Sequence, residues 1–254
     1  MPAKATNYDA ALSIFENHIG LFTADAFYKK VDNLIFQTRY HLFGRQIEPL
    51  PGMNIPDNWL NILSGNVPAD TYLNNPNKTT YKGFELDWQT NFWYLPSFLK
   101  GLVLDVNFSR IYSHTTIPVY KTVVTYDTNV RPPRSIFSIK DTIRTARMPD
   151  QPKYIANATL GYDYRGFSVR VSYLYQTNVI TYINDLNPLL DSYTGAYSRW
   201  DVAVKQNLPM GFQIFLNLNN LNNRRDHSYQ GDTDHPVYTQ NYGFTADAGV
   251  RYQF

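Results

Sequence analysis

The last twelve residues, Gly243 to Phe254 (GFTADAGVRYQF), restrict what this chain can become more than any other stretch. Phe244, Ala246, Ala248, Val250, Tyr252 and Phe254 share one face of an extended strand, and Thr245, Asp247, Gly249, Arg251 and Gln253 share the other. In a soluble β protein the second row would turn Asp247 and Arg251 into a core, which is costly for unpaired charges. In a wide barrel that row faces water and the apolar row faces lipid, as in a membrane-spanning strand.

Composition permits this reading. The 254 residues suit one large β domain, and aromatics reach 16%, with 21 tyrosines. No run approaches the ~18 apolar residues of a membrane helix. A mean hydropathy of −0.40 is no objection, because a spanning strand alternates and its average stays modest. The net charge of +2 implies no nucleic-acid partner. With no cysteine, disulfides, thiolate metal sites and Cys nucleophiles are excluded.

Period-two alternation predicts about nine strands. In Phe167–Gln176 (FSVRVSYLYQ), Phe167, Val169, Val171, Tyr173 and Tyr175 alternate with polar residues, and only Leu174 interrupts. Its partner is Tyr154–Tyr164, reached through a hairpin at Arg165-Gly166. Similar alternation marks Tyr8–Ile14, Phe22–Lys29, Tyr81–Phe92, Leu102–Ser109, Trp200–Lys205 and Phe212–Asn219. Connections alternate in length. Asn17–Gly20, Leu95–Gly101, Arg165-Gly166 and Leu208–Gly211 are short, whereas Thr38–Thr80, Ser113–Pro152, Asn178–Thr194 and Asn222–Tyr238 are long. All long loops therefore fall at one end, as in outer-membrane barrels. Aromatics near strand ends predict interfacial girdles: Phe92, Trp93, Tyr94, Tyr162, Tyr164 and Phe167 by the short turns, and Tyr112, Tyr173, Tyr175, Tyr197 and Tyr242 toward the long loops.

The segments TADAFYKKVDNLI, YKGFELDWQTNFWYLP, KGLVLDVNFSRIYS, NLNNLNN and YGFTADAGVRYQF resemble the C-terminal barrel of TonB-dependent receptors, in the style of the Bacteroidetes. The resemblance implies an all-β antiparallel transmembrane barrel of ~22 strands with a plugged lumen. Residues 1–254 are then expected to be a C-terminal portion of about nine strands. MPAKATNYDAALSIF shows no basic region followed by an apolar core, so no signal peptide is expected within the chain, and set against the family it resembles the N-terminal plug is expected to be missing. The implied function is uptake of a scarce nutrient (a metal chelate, cobalamin or an oligosaccharide) across the outer membrane of a Gram-negative bacterium. The implied partners are outer-membrane lipid, TonB through the missing N-terminal plug, and the barrel-assembly machinery, whose signal Val250, Tyr252 and Phe254 resemble. Two alternatives stay open here: a passive porin-like or other outer-membrane barrel, and a soluble carbohydrate-binding β-sandwich.

Catalytic signatures are absent: there is no GxSxG, HExxH or GxxxxGK[ST]. No enzyme activity, cofactor or metal site is therefore expected. His227 and His235 share a loop with Asp226, Asp232 and Asp234, but their spacing matches no metal motif. In the long loops, Trp59, Tyr72, Tyr120, Tyr126, Arg131, Arg134, Tyr182 and Tyr229 are candidate ligand contacts, since aromatic faces and Arg forks suit sugars and anionic chelates. Arg170, Asp201, Lys205 and Arg251 are expected to line the lumen, against a plug or paired across strands.

Overall fold

The computed structural model describes residues 1–42, 56–58, 67–184 and 187–253. Among them lie β1 (Lys4–Glu16), β2 (Gly20–Asp32), β3 (Ile35–Leu42), β4 (Val67–Asn74), β5 (Thr79–Asn91), β6 (Leu102–Asp127), β7 (Arg134–Ala146) and β8 (Tyr154–Tyr164). There follow β9 (Phe167–Gln176), β10 (Val179–Tyr182), β11 (Ser192–Thr194), β12 (Tyr197–Asn207), β13 (Phe212–Asn219), β14 (Arg225–Gln230), β15 (Pro236–Asn241) and β16 (Thr245–Tyr252). The main sheet runs β1-β2-β5-β6-β8-β9-β12-β13-β16, every pair antiparallel. These nine are the strands that alternation predicts.

Register carries each strand's parity to its neighbour. Ile14 pairs with Phe22, Phe22 with Trp88, Trp88 with Val106, Val106 with Ala158, Ala158 with Tyr173, and Tyr173 with Trp200. One residue over, Leu21, Gln89, Asp105, Thr159, Ser172 and Asp201 form a mostly polar row on the opposite face. Nothing among the described residues covers the apolar face: Leu12 is 63% exposed, Leu160 53% and Val250 66%. Total accessible area is 16585 Å², against roughly 11,500 Å² for a compact soluble chain of this mass. A soluble sandwich would bury such rows against a second sheet. A hydrocarbon environment removes that need.

Short turns join the sheet at one end. Arg165 and Gly166 both adopt the left-handed conformation (φ +47° and +80°), which a two-residue hairpin turn requires. At the first turn, Glu16 accepts from the backbone N–H groups of His18 and Ile19 at 2.8 and 3.1 Å. Aromatic pairs mark both ends: Phe212–Tyr252 and Tyr162–Tyr164 near the short turns, Tyr8–Tyr28 and Phe108–Tyr154 toward the other end. Tyr197 departs from the expected girdle. It shares parity with Arg199 and Asp201 and so belongs to the polar face.

The segments read as long loops carry strands of their own. β6 continues past the sheet and changes partner: β5 and β8 below, β7 from Thr115 to Asp127. At the change of partner, buried Thr115 bonds to Thr79 at 2.8 Å and accepts from Asn75 at 3.3 Å. Beyond it β3 pairs with β4, and β10-β11-β14-β15 form a small sheet. A modest core of Ile117, Val119, Ile180 and Ile183 packs against Phe36, Ala146 and Tyr193. Same-class neighbours such as Thr115-Thr116 and Val123-Val124 break the period of two in β6, which is why periodicity missed its upper part.

The face assignment is directly testable. Val171, paired with Leu160 and Val202, lies on the apolar row, and Ser172, paired with Thr159 and Asp201, on the other. Val171→Arg should destabilise the protein by ~2–4 kcal/mol in lipid vesicles, whereas Ser172→Arg should cost under ~1 kcal/mol. Equilibrium unfolding from vesicles measures both.

Candidate functional site

The polar face near the long-loop end is organised by one asparagine-rich turn, Asn217–Asn223 (NLNNLNN). β13 alternates normally to Asn219, and then Asn220 and Asn223 enter the left-handed region at φ +58° and +47°. Asparagine tolerates that backbone better than most residues. Asn220 donates from Nδ2 to the Gly243 carbonyl at 2.7 Å and accepts from the Arg224 N–H at 2.8 Å. Its own N–H donates to Asp201 Oδ1 at 2.9 Å. Asn222 donates to the Ser198 carbonyl and accepts from the Trp200 N–H. The turn thus ties β12, β13 and the approach to β16 together.

Its consequence is the placement of Arg224. The guanidinium lies 3.6 Å over the Tyr197 ring and pairs with Asp226. Arg224 Nε is buried without a hydrogen-bond partner among the described residues. Burial pulls the Arg224 pKa below its ordinary value, Tyr197 opposes that shift, and the nearby Arg199 charge adds to it. Arg199 donates from Nε to Asp201 Oδ2 at 2.8 Å. Tyr197, Arg199, Asn219, Arg224 and Tyr242 line a cavity of ≈ 370 Å³. Asp226 lines it too, and both guanidinium groups are already paired with aspartates, so the cavity offers a mixed set of donors and acceptors that suits a polyhydroxylated ligand or one that displaces an aspartate with its own anionic group.

Further along the same face, a second cavity of ≈ 340 Å³ collects Arg170, Lys205 and Arg251. Arg170 forks onto Asp163 at 2.9 and 2.6 Å. Its side chain lies over Gly161, where a Cβ would come within 2.7 Å of it. Lys205 lies within electrostatic reach of the same Asp163 without a direct ion pair, and Arg251 makes no ion pair among the described residues. Asp201, the fourth residue read as lumen-facing, sits at the upper cavity through Asn220 and Arg199. Cross-strand pairing therefore accounts for Arg170, Asp163 also draws on Lys205, and Arg251 is left without an ion pair among the described residues.

The loop residues singled out from sequence are not gathered into one site. Trp59 and Phe254 lie outside the described residues, and Tyr120 is placed on β6 by its backbone alone. Tyr72 on β4 and Tyr126 on β6 are exposed, as are Arg131 and Arg134 at the β6–β7 tip. Tyr182 on β10 lines a separate cavity of ≈ 250 Å³ with Phe36, Ile117 and Ile183. Tyr229 is 4% exposed, stacked on Tyr193 at 5.0 Å, and serves packing. Beside it, Arg144 clamps buried Asp191. Burial raises the Tyr193 hydroxyl pKa, and the Asp191 charge adds to the rise. His227 and His235 diverge: His227 stacks on Tyr229, whereas His235 reaches Asp232 at 2.7 Å.

Sequence reasoning missed Tyr197, Arg199 and Arg224 as site residues. The usable signal was the Asn cluster followed directly by Arg224-Arg225, where a strand must break and redirect a cation.

Among known proteins, a family model described as "TonB dependent receptor-like, beta-barrel" matches residues 1–221. No curated protein matches the chain at a significant level.

Two outcomes test the geometry. Asn220→Ala should cost about 2–3 kcal/mol through a lost hydrogen-bond hub and a strained left-handed backbone, and Asn220→Gly should recover about 1 kcal/mol of it, read by unfolding in detergent. The hydrogen bond from His235 holds the Asp232 carboxyl below its ordinary pKa, and the Asp234 N–H adds to this. A depressed pKa stabilises above the ordinary carboxylate value, so the turn should loosen as pH falls through and below that range. Hydrogen exchange at the Asp234 amide reports it.

Proposed function

The chain belongs to the TonB-dependent receptor-like β-barrel family, and we propose that it forms the ligand-facing wall of an outer-membrane receptor importing a scarce nutrient with energy relayed by TonB. The observation that carries this reading is the register-locked sheet. It has, among the described residues, an uncovered apolar face on one side and, on the other, polar cavities lined by arginine and lysine side chains, most of them balanced by aspartates. β1 and β16 are the free edges of that sheet. In hydrocarbon every backbone N–H and C=O must find a partner, so further strands have to pair both edges. We therefore read residues 1–254 as the C-terminal portion of a larger barrel, filled by a plug that makes the TonB contact.

The ligand class we infer is anionic or polyhydroxylated: a metal chelate, cobalamin or an oligosaccharide. Arg199, Arg224, Tyr197 and Tyr242 face it from the upper cavity. Tyr72, Tyr126, Arg131 and Arg134 approach it from the exposed hairpins. Lys205 and Arg251, lower on the wall, are suited to an acidic surface of the plug. Val250, Tyr252 and Phe254 are the proposed signal for the barrel-assembly machinery.

Expressed from its full reading frame in a Gram-negative host, the protein should accumulate a labelled ligand from a panel of ferric chelates, cobalamin and oligosaccharides. Accumulation should fall to background when TonB is deleted. Uptake indifferent to TonB would reassign the protein to passive pores. Arg199→Gln with Arg224→Gln should weaken ligand binding at least about tenfold, since hydrogen bonds to charged groups contribute about 1.5–3 kcal/mol each.

A further inference from the structure

The inward row of β6 changes its chemistry partway along the strand. Asp105, Asn107 and Ser109 occupy it beside Gln89, Asp87 and Glu85 of β5, whereas Ile117 and Val119 occupy it beyond Thr115. An apolar row on a wet face needs a cover. Phe36 of β3 and Ile180 and Ile183 of β10 supply one, and leave Ile117 and Val119 only 6% and 1% exposed. The cover is incomplete. A cavity of ≈ 250 Å³ remains between β3, β6, β10 and residues 148–150, which lie between β7 and β8.

The cavity is apolar within and charged at one point. Phe36, Ile117, Met148, Pro149 and Ile183 make up most of its lining. Thr115 also lines it, but that buried hydroxyl is committed to Thr79 and Asn75 and offers little to water. Native cores leave few voids of such size. An apolar cavity of ~150 Å³ stays dry and takes up benzene, so this one has room for a ring with a short alkyl arm. Asp150 is the only charged side chain of the lining, and it is exposed. Its backbone is fixed: the N–H donates to the Ile180 carbonyl at 2.7 Å, at a left-handed φ of +57°. Its carboxylate makes no ion pair or hydrogen bond among the described residues.

We propose that this cavity binds a small apolar amine, with its ring among Phe36, Ile117 and Ile183 and its ammonium on Asp150. The ammonium stays partly hydrated beside an exposed carboxylate, so the pair escapes the full desolvation penalty of a buried one. A sugar would leave hydroxyls unpaired against these walls, and an anionic ligand would meet Asp150. The site thus differs in chemistry from the cavity at Arg199 and Arg224, and it stands independently of the transport reading. An occupant touches β3, β6 and β10 at once and should slow their opening.

The test uses the protein from its full reading frame in nanodiscs of zwitterionic lipid at neutral pH. Fluorine NMR compares para-fluorophenethylamine with the matching alcohol and the matching carboxylic acid, each corrected for binding to empty nanodiscs. The amine should bind about 3-fold more tightly than the alcohol and about 10-fold more tightly than the acid, as suits an exposed charge pair and its like-charge counterpart. Ethylamine keeps the charge and lacks the ring, and should compete at least about 10-fold more weakly. In Asp150→Asn the amine and the alcohol should bind alike, and asparagine tolerates the left-handed backbone there. Asp234→Asn, in the β14–β15 turn, should change nothing. Hydrogen exchange locates the site, because the amine should protect residues 34–37 and 181–183 together. Equal binding of amine and acid, ethylamine as effective as the ring compound, or an unchanged preference in Asp150→Asn overturns the proposal. So does protection that spares residues 34–37 and 181–183, or binding that empty nanodiscs reproduce. Should Asp150→Asn fail to fold, the ranking of the probes and the exchange map decide by themselves.

Discussion

Backbone pairing in an antiparallel sheet locks side-chain parity from one strand to the next, and the rest of this molecule depends on that coupling. A one-residue slip between any two strands would exchange their faces. Here the row from Ile14 to Trp200 crosses seven strands without such a slip. The neighbouring row, from Leu21 to Asp201, is kept on the opposite side by the same hydrogen bonds. Two chemically opposed surfaces follow from one register.

Those surfaces invert the usual logic of a globular domain. The few fully buried apolar side chains among the described residues sit mostly in the small lobe at the long-loop end, around Ile117, Val119, Ile180 and Ile183. The spanning sheet has no such core. Its stability in water would suffer from an exposed Leu12, Leu160 and Val250, while its backbone ladder is complete except at β1 and β16. Hydrocarbon reverses the sign of the first effect and raises the cost of the unpaired edges, so a bilayer both solvates this sheet and demands its completion.

The polar face gains its chemistry where the alternation stops. Asn220 and Asn223 turn the chain through left-handed backbone, and the redirected Arg224 comes to rest on Tyr197 beside Arg199. A regular strand would have sent successive side chains to opposite faces and separated these groups. Lower on the wall, Gly161 lets Arg170 lie flat and fork onto Asp163, which Lys205 also approaches, while Arg251 makes no ion pair among the described residues.

Much of this was legible in the order of residues. Alternation in FSVRVSYLYQ and GFTADAGVRYQF is a local property of extended backbone, so nine strands, their outward rows and the polar assignment of Arg170, Asp201, Lys205 and Arg251 follow from sequence without knowledge of the neighbours. Three things needed the tertiary structure. The strands within the long loops gain definition only from partners such as β7 on β6. Tyr229 is a packing residue because Tyr193, far away in sequence, stacks on it. The Tyr197–Arg199–Arg224 cavity exists only through pairing across strands. The periodicity of a strand determines which way a side chain points, and only the register between strands decides which other side chains it meets.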